Sequence, residues 1–218
     1  MPAMTAIGLI VGTDSVHLIS DGALCGADGV IQGIASKVAI ATHLRMAIVG
    51  TGRINPVEIA AALPASSQDA AMRRLPSYLF EQRRKNAADA PHLEADGRNN
   101  VTLLAAIWAD DTDRAEGWII STGHPFLGPD YVPYTLCEVE QVWMPQTASL
   151  IGRPDRFRPQ IDGSRILNEQ RRIGQRGRYW VGGFGEATTV TVGGVTKERL
   201  CEWPDIVGAV IDPPRLAT

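Results

Sequence analysis

The chain has 218 residues, 44% of them hydrophobic and 21% charged, with a formal net charge of −3. This is ordinary globular composition, long enough for one sizeable domain over residues 1–218. The mildly acidic balance gives no electrostatic footing for nucleic acid or an anionic membrane.

The opening MPAMTAIGLIVGTD has no basic region followed by a long apolar one, so it does not read as a secretory signal. Residues 5–12 are short and apolar and end at Gly12, Thr13 and Asp14, which favour a turn. Residues 15–22 split at strand period, with Val16, Leu18 and Ser20 on one face and His17, Ile19 and Asp21 on the other. Residues 24–33 are glycine-rich and read as a turn or short excursion. Residues 37–42 and 45–52 are again strand-like, which makes the first fifty residues an antiparallel meander with several strands buried on both faces.

Helices follow. Asn55 caps a helix over residues 55–63 with Pro56 at its first position. A serine caps residues 66–86, whose apolar positions run through Ala70, Met72, Leu75, Leu79 and Phe80, with a break placed at Pro76. Residues 90–100 form a polar loop. Residues 101–109 and 115–122 return to strand around the hairpin tip DDTDR, whose carboxylates read as solvated. Residues 131–146 suggest one more strand or extended segment. Residues 161–174 suggest a helix capped by Asp162 or Ser164, and residues 178–200 a closing hairpin. Strands, helices, strands, helix, strands is not the alternation of a parallel α/β sheet. It suits an α+β protein in which two mainly antiparallel sheets each bury one face against the other and one under helices.

Cysteine and histidine carry little chemistry here. Cys25, Cys137 and Cys201 are odd in number and scattered, which fits a reducing, cytoplasmic setting and small buried side chains. His17, His43, His92 and His124 show no metal spacing, and no G-x-S-x-G elbow occurs. No metal or organic cofactor is expected. Residues 50–52, Gly-Thr-Gly, lack the third glycine of a dinucleotide fingerprint. The glycines of YWVGGFGEA read as a bulge or turn.

Three residues share a chemical logic. Only Lys37, Lys85 and Lys197 are lysines; the other 18 cations are arginines. Arginine keeps its proton in a protein, whereas lysine can take part in proton-transfer chemistry. Lys37 opens a predicted strand, Asp21 ends one and Thr5 heads another, at even intervals of sixteen residues. A hydroxyl is a poor nucleophile until a base takes its proton. The α-amino group of an N-terminal threonine, with an ordinary pKa of about 7.7–8.0, can be that base. A lysine then sets the local field and a carboxylate pairs the lysine. Singly, Thr5 reads as a strand residue, Asp21 as a turn and Lys37 as a solvated strand end.

Together, in register, they resemble the proteasome-type N-terminal-nucleophile (Ntn) hydrolases: the proteasome β subunit and its bacterial HslV-like relatives. The resemblance runs through LISDGALCGADGVIQGIASKVAIAT and AIVGTGRINPVEIAAAL and covers the first half of the chain. It implies a four-layer αββα sandwich. It also implies a threonine hydrolase that cleaves peptide or amide bonds, with Thr5, Asp21 and Lys37 catalytic. The oxyanion would be held by a backbone N–H at Gly50, Thr51 or Gly52, with Thr51 favoured by position. Ring-like homo-oligomers are implied, with no identified ATPase partner. Residues 148–177 leave room for about one helix where the family has two, so the second helical layer is reduced. The family's supporting serine has only approximate counterparts in Ser149, Ser121 and Ser164. The mechanism requires the bond between Met4 and Thr5 to be cut, with residues 1–4 removed. If they stay as an extension, the alternative is a catalytically inactive structural or assembly subunit of the same fold. A small-molecule-binding α/β domain, suggested only by the glycine loops, ranks last.

Overall fold

Strands form where β-branched and apolar residues run between turn residues, and the order of those runs decides which sheet each joins. A computed structural model describes residues 5–63, 66–94, 99–123, 130–146, 154–174 and 177–212. In chain order its strands are β1 (Ile7–Val11), β2 (Val16–Asp21), β3 (Ala23–Cys25), β4 (Ile31–Ile34), β5 (Val38–Ala41) and β6 (Met46–Thr51). They continue with β7 (Thr102–Ala109), β8 (Arg114–Ser121), β9 (Cys137–Glu138), β10 (Gln141–Met144), β11 (Phe184–Thr191) and β12 (Gly194–Glu202). The α-helices are α1 (Pro56–Ala62), α2 (Gln68–Asp89) and α3 (Ser164–Arg171). The protein is a mixed α+β fold with three antiparallel sheets, ordered β10-β1-β2-β11-β12, β5-β6-β7-β8-β9 and β3-β4.

The two five-stranded sheets share a core. Ile7, Leu9, Val16 and Leu18 of the first pack with Val38, Ala47, Val49, Leu104 and Ala106 of the second. The alternate residues of the second sheet, among them Met46, Ile48, Leu103 and Ala105, pack with Ile59 of α1 and Ala71, Leu75 and Leu79 of α2. Ile10, Ile19 and Ala187 of the first sheet pack with Ile166 and Leu167 of α3. The central strands of both sheets are therefore buried on both faces, which is why β1, β2, β6 and β7 read as nearly continuous apolar runs, while the edge strand β12 stays partly exposed.

Several expectations are corrected. The first fifty residues are not one meander: β1 and β2 belong to one sheet, β5 and β6 to the other, and the glycine-rich segment between them forms the β3–β4 hairpin. Residues 131–146 hold two short strands, β9 on the edge of one sheet and β10 on the edge of the other. Helix α2 runs unbroken through Pro76, because Leu75, Tyr78 and Leu79 anchor it to the sheet on both sides of the lost hydrogen bond. Its buried face also includes Gln68, Gln82 and Asn86, while Phe80 is exposed. Ser67 caps it as expected, accepting the Ala70 N–H at 3.1 Å. Neither Asp162 nor Ser164 caps α3. A wide turn over Pro159–Gly163 leads into the helix, and the Ser164 hydroxyl donates to the Gln160 carbonyl at 2.8 Å.

His17 shows what outer-face burial costs a titratable group. It is 8% exposed, its Nδ1 lies 2.9 Å from Thr189 Oγ1 and its Nε2 lies 3.0 Å from Ser15 Oγ. Burial lowers its pKa from 6.5 to about 4. Between those values the unfolded chain binds a proton that the folded chain refuses, so stability falls as pH drops through that window. The loss amounts to about 3 kcal/mol over the window. Urea unfolding at pH 7 and pH 4 should show it, and His17→Gln should flatten the dependence; an unchanged slope in that variant counts against His17 as the cause.

Candidate active site

The ladder between β1 and β2 brings Thr5 to Asp21. Ile7 lies opposite Ser20, so the chain just before β1 runs beside the end of β2, and the Asp21 N–H donates to the Ala6 carbonyl at 3.1 Å. Lys37 arrives from the other sheet, immediately before β5. Its ammonium spans the end of the gap between the sheets and lies 2.5 Å from Asp21 Oδ1. It also donates to Thr5 Oγ1. The Thr5 hydroxyl in turn donates to Asp21 Oδ1 at 2.6 Å. The three residues singled out from the sequence form one closed hydrogen-bonded triangle.

The carboxylate is the buried centre of this arrangement. Asp21 is fully buried, and Lys37 is 6% exposed. Such a pair loses more hydration than its attraction returns unless further donors satisfy it. Three backbone donors do so: Ala6 N–H to Oδ1 at 3.0 Å, Ala23 N–H to Oδ2 at 3.2 Å and Gly182 N–H to Oδ2 at 3.0 Å. With the Thr5 hydroxyl and the Lys37 ammonium, Asp21 accepts five hydrogen bonds. Gly182, in the stretch YWVGGFGEA that reads as a bulge or turn, thus supplies a donor to the carboxylate, a link to Asp21 that sequence reasoning did not make. The available signal was a Gly-Gly pair directly after a buried valine.

Thr5 and Lys37 open onto a cavity of about 620 Å³ that Gly50 and Gly52 also line. That volume suits a small ligand or a few residues of a peptide. The Gly52 backbone is left-handed at φ +101°, and a Cβ there would stand 2.4 Å from the Asn100 carbonyl oxygen. Thr51 is buried opposite Thr102 and does not line the cavity. Two unforeseen side chains hold this glycine loop: the Arg53 carbonyl accepts from Gln82 Nε2 at 3.2 Å and from Asn86 Nδ2 at 2.9 Å. An amide pair at i and i+4 on the buried face of α2 was the readable clue.

Other groups near the site are quieter. Cys25 lines the cavity, but burial, only partly opposed by the Lys37 charge, pushes its thiol up to about 11. It is protonated at neutral pH and a poor nucleophile. Ser149 lies outside the described residues. The Ser121 hydroxyl is paired with Thr102 at 2.8 Å, and the Ser164 hydroxyl with the Gln160 carbonyl of the turn before α3. Among the described residues no group of three His, Cys, Asp or Glu side chains is placed to hold a metal, and no helix is long and apolar enough to cross a membrane. Compared with known proteins, the chain matches no family model and no curated sequence.

Proposed function

We propose that this chain is an N-terminal-threonine hydrolase of the proteasome type, cleaving peptide or amide bonds on a four-layer αββα sandwich. One observation carries the reading: Thr5 Oγ1 is held between the Lys37 ammonium and the Asp21 carboxylate on the wall of a cavity. After the bond between Met4 and Thr5 is cut, the free α-amine lies on the same residue as the nucleophile.

Thr5 Oγ attacks the substrate carbonyl carbon as the α-amine takes the hydroxyl proton. The carbonyl π electrons move to oxygen, and a backbone N–H of residues 50–52 stabilises that oxyanion. Collapse re-forms the carbonyl and breaks the C–N bond, and the departing amine takes the proton. An ester on Thr5 remains. Water, deprotonated by the α-amine, attacks the ester, and its collapse releases the acid and returns the proton to Thr5 Oγ. Lys37 holds the hydroxyl oxygen and biases the amine toward its neutral form, and Asp21 fixes Lys37. No cofactor enters these steps. The active form is proposed to be a homo-oligomer, ring-like by resemblance, and cytoplasmic.

The test is N-terminal sequencing and intact mass after exposure to a peptide β-lactone, which acylates a nucleophilic hydroxyl as its ring opens. A chain beginning at Thr5 with the adduct on Thr5 is the expected result. A folded chain that begins at Thr5 and takes no adduct there sinks the reading. The eight residues of α3, against 22 in α2, favour a second reading, a catalytically inactive assembly subunit of the same fold. A mature chain that retains residues 1–4 supports it.

A further inference from the structure

We infer that the buried ion pair of Arg171 and Asp205 is a positioning device for this site. It fixes the turn that delivers the Gly182 N–H to Asp21, and the inference rests on the proposed hydrolase reading. Arg171 ends α3 and Asp205 follows β12, and their side chains are 5% and 7% exposed. The pairing is two-pronged: Nη1 to Oδ2 and Nη2 to Oδ1, each at 2.7 Å. Each partner also grips the backbone on one side of Gly182. Arg171 Nη1 donates to the Val181 carbonyl at 2.7 Å, and Asp205 Oδ2 accepts the Gly183 N–H at 2.7 Å.

Gly182 is thereby pinned from both flanks. Its carbonyl accepts the Ala23 N–H at 2.9 Å and the Gly22 N–H at 3.1 Å, next to Asp21 itself. Its own N–H donates to Asp21 Oδ2 at 3.0 Å. A Cβ on Gly182 would lie 2.5 Å from Asp205 Oδ2 and 2.9 Å from Arg171 Nη1, so a side chain there would have to displace the pair. Gly183 takes φ +74°, which glycine adopts without strain.

Stability alone does not account for the pair. Well-packed apolar residues generally serve a buried site as well as two ions do. Arg171 Nε is buried with no hydrogen-bond partner among the described residues, a cost that apolar packing would avoid. What two apolar side chains cannot supply is a donor to Val181 and an acceptor for Gly183 at fixed separation. The ions set backbone geometry, and that geometry carries a donor to the carboxylate that holds Lys37 and Thr5.

The test compares the parent chain, Arg171→Lys and the double variant Arg171→Met with Asp205→Leu, which removes both charges together. Thr5 acylation by the peptide β-lactone gives a maximal rate constant and a half-saturating concentration for each. Exchange of the Gly182 amide, read by NMR, reports the positioning itself. In the folded double variant the rate constant should fall about tenfold to a hundredfold, the scale set by small misplacements of reacting groups. Half-saturation should change little, and the Gly182 amide should exchange at least about tenfold faster as its hydrogen bond is lost. Arg171→Lys, which keeps one donor, should recover part of both. If the double variant does not fold, Asp205→Asn replaces it, with the same expectations. A parental rate constant together with a parental Gly182 exchange rate overturns the inference. A parent that takes no label on Thr5 defeats the hydrolase reading instead, and the amide exchange still decides whether the pair positions Gly182.

Discussion

Thr5→Ala is expected to abolish acylation by the peptide β-lactone while leaving the fold intact. The hydroxyl donates one hydrogen bond to Asp21 and accepts one from Lys37. Removing it leaves the ammonium and carboxylate still paired at 2.5 Å. The stability cost is that of hydrogen bonding to charged groups, about 1.5–3 kcal/mol. The loss in rate is of another order, about 10³-fold or more, because among the described residues lining the cavity Thr5 alone carries a hydroxyl. Cys25, the nearest alternative, is held in its thiol form. Thr5→Ser keeps the hydroxyl and should retain measurable labelling. Intact mass and thermal unfolding of the three proteins check both halves of this expectation. Parental labelling of Thr5→Ala would exclude Thr5 as the nucleophile.

Asp21→Asn should be the most destabilising conservative change in the site, and more harmful than Lys37→Met. The two halves of the pair are supported unequally. Without Lys37, the carboxylate still has the Thr5 hydroxyl and the N–H groups of Ala6, Ala23 and Gly182. Without the carboxylate charge, the buried ammonium keeps only neutral partners, and one oxygen position becomes an NH₂ that faces donors. Leaving a buried charge uncompensated costs about 3–5 kcal/mol, which in a chain of this size lowers the melting temperature by about 6–20 °C. Lys37→Met should cost about 1–3 kcal/mol. Calorimetry on the two variants settles the order, and equal or reversed losses would contradict the claim that backbone donors carry the carboxylate.

How much of this could be read in advance follows from the range of each interaction. Thr5, Asp21 and Lys37 were legible because their order and separation resemble those of a known family, and each lies at or just before a strand end. The inward and outward faces of β2 were legible from alternation alone, Val16 and Leu18 packing between the sheets and Ile19 toward α3. The split of residues 131–146 between two sheets was not, since both pieces are short edge strands whose partners are chosen by the packing of the whole. Pro76 was misread because local propensity cannot weigh the apolar contacts on either side of it. Gln82, Asn86, Arg171 and Asp205 were missed for a related reason. Long polar side chains read as solvent-facing unless their buried backbone partners are known, and those partners lie in other elements.

The contact between Gly182 and Asp21 spans 161 residues of chain. It has a consequence for the order in which the molecule is made. Thr5, Asp21 and Lys37 leave the ribosome early, but the glycine that completes the carboxylate's support is translated much later, as is β11, which must pair with β2 to finish the first sheet. Asp205, which holds that glycine in place, is later still. During most of translation the nascent chain therefore carries Thr5 and Asp21 without the glycine that completes the carboxylate's hydrogen bonds. On the proposed reading, neighbouring nascent chains meet an unfinished site until Arg171, Gly182 and Asp205 have emerged and docked.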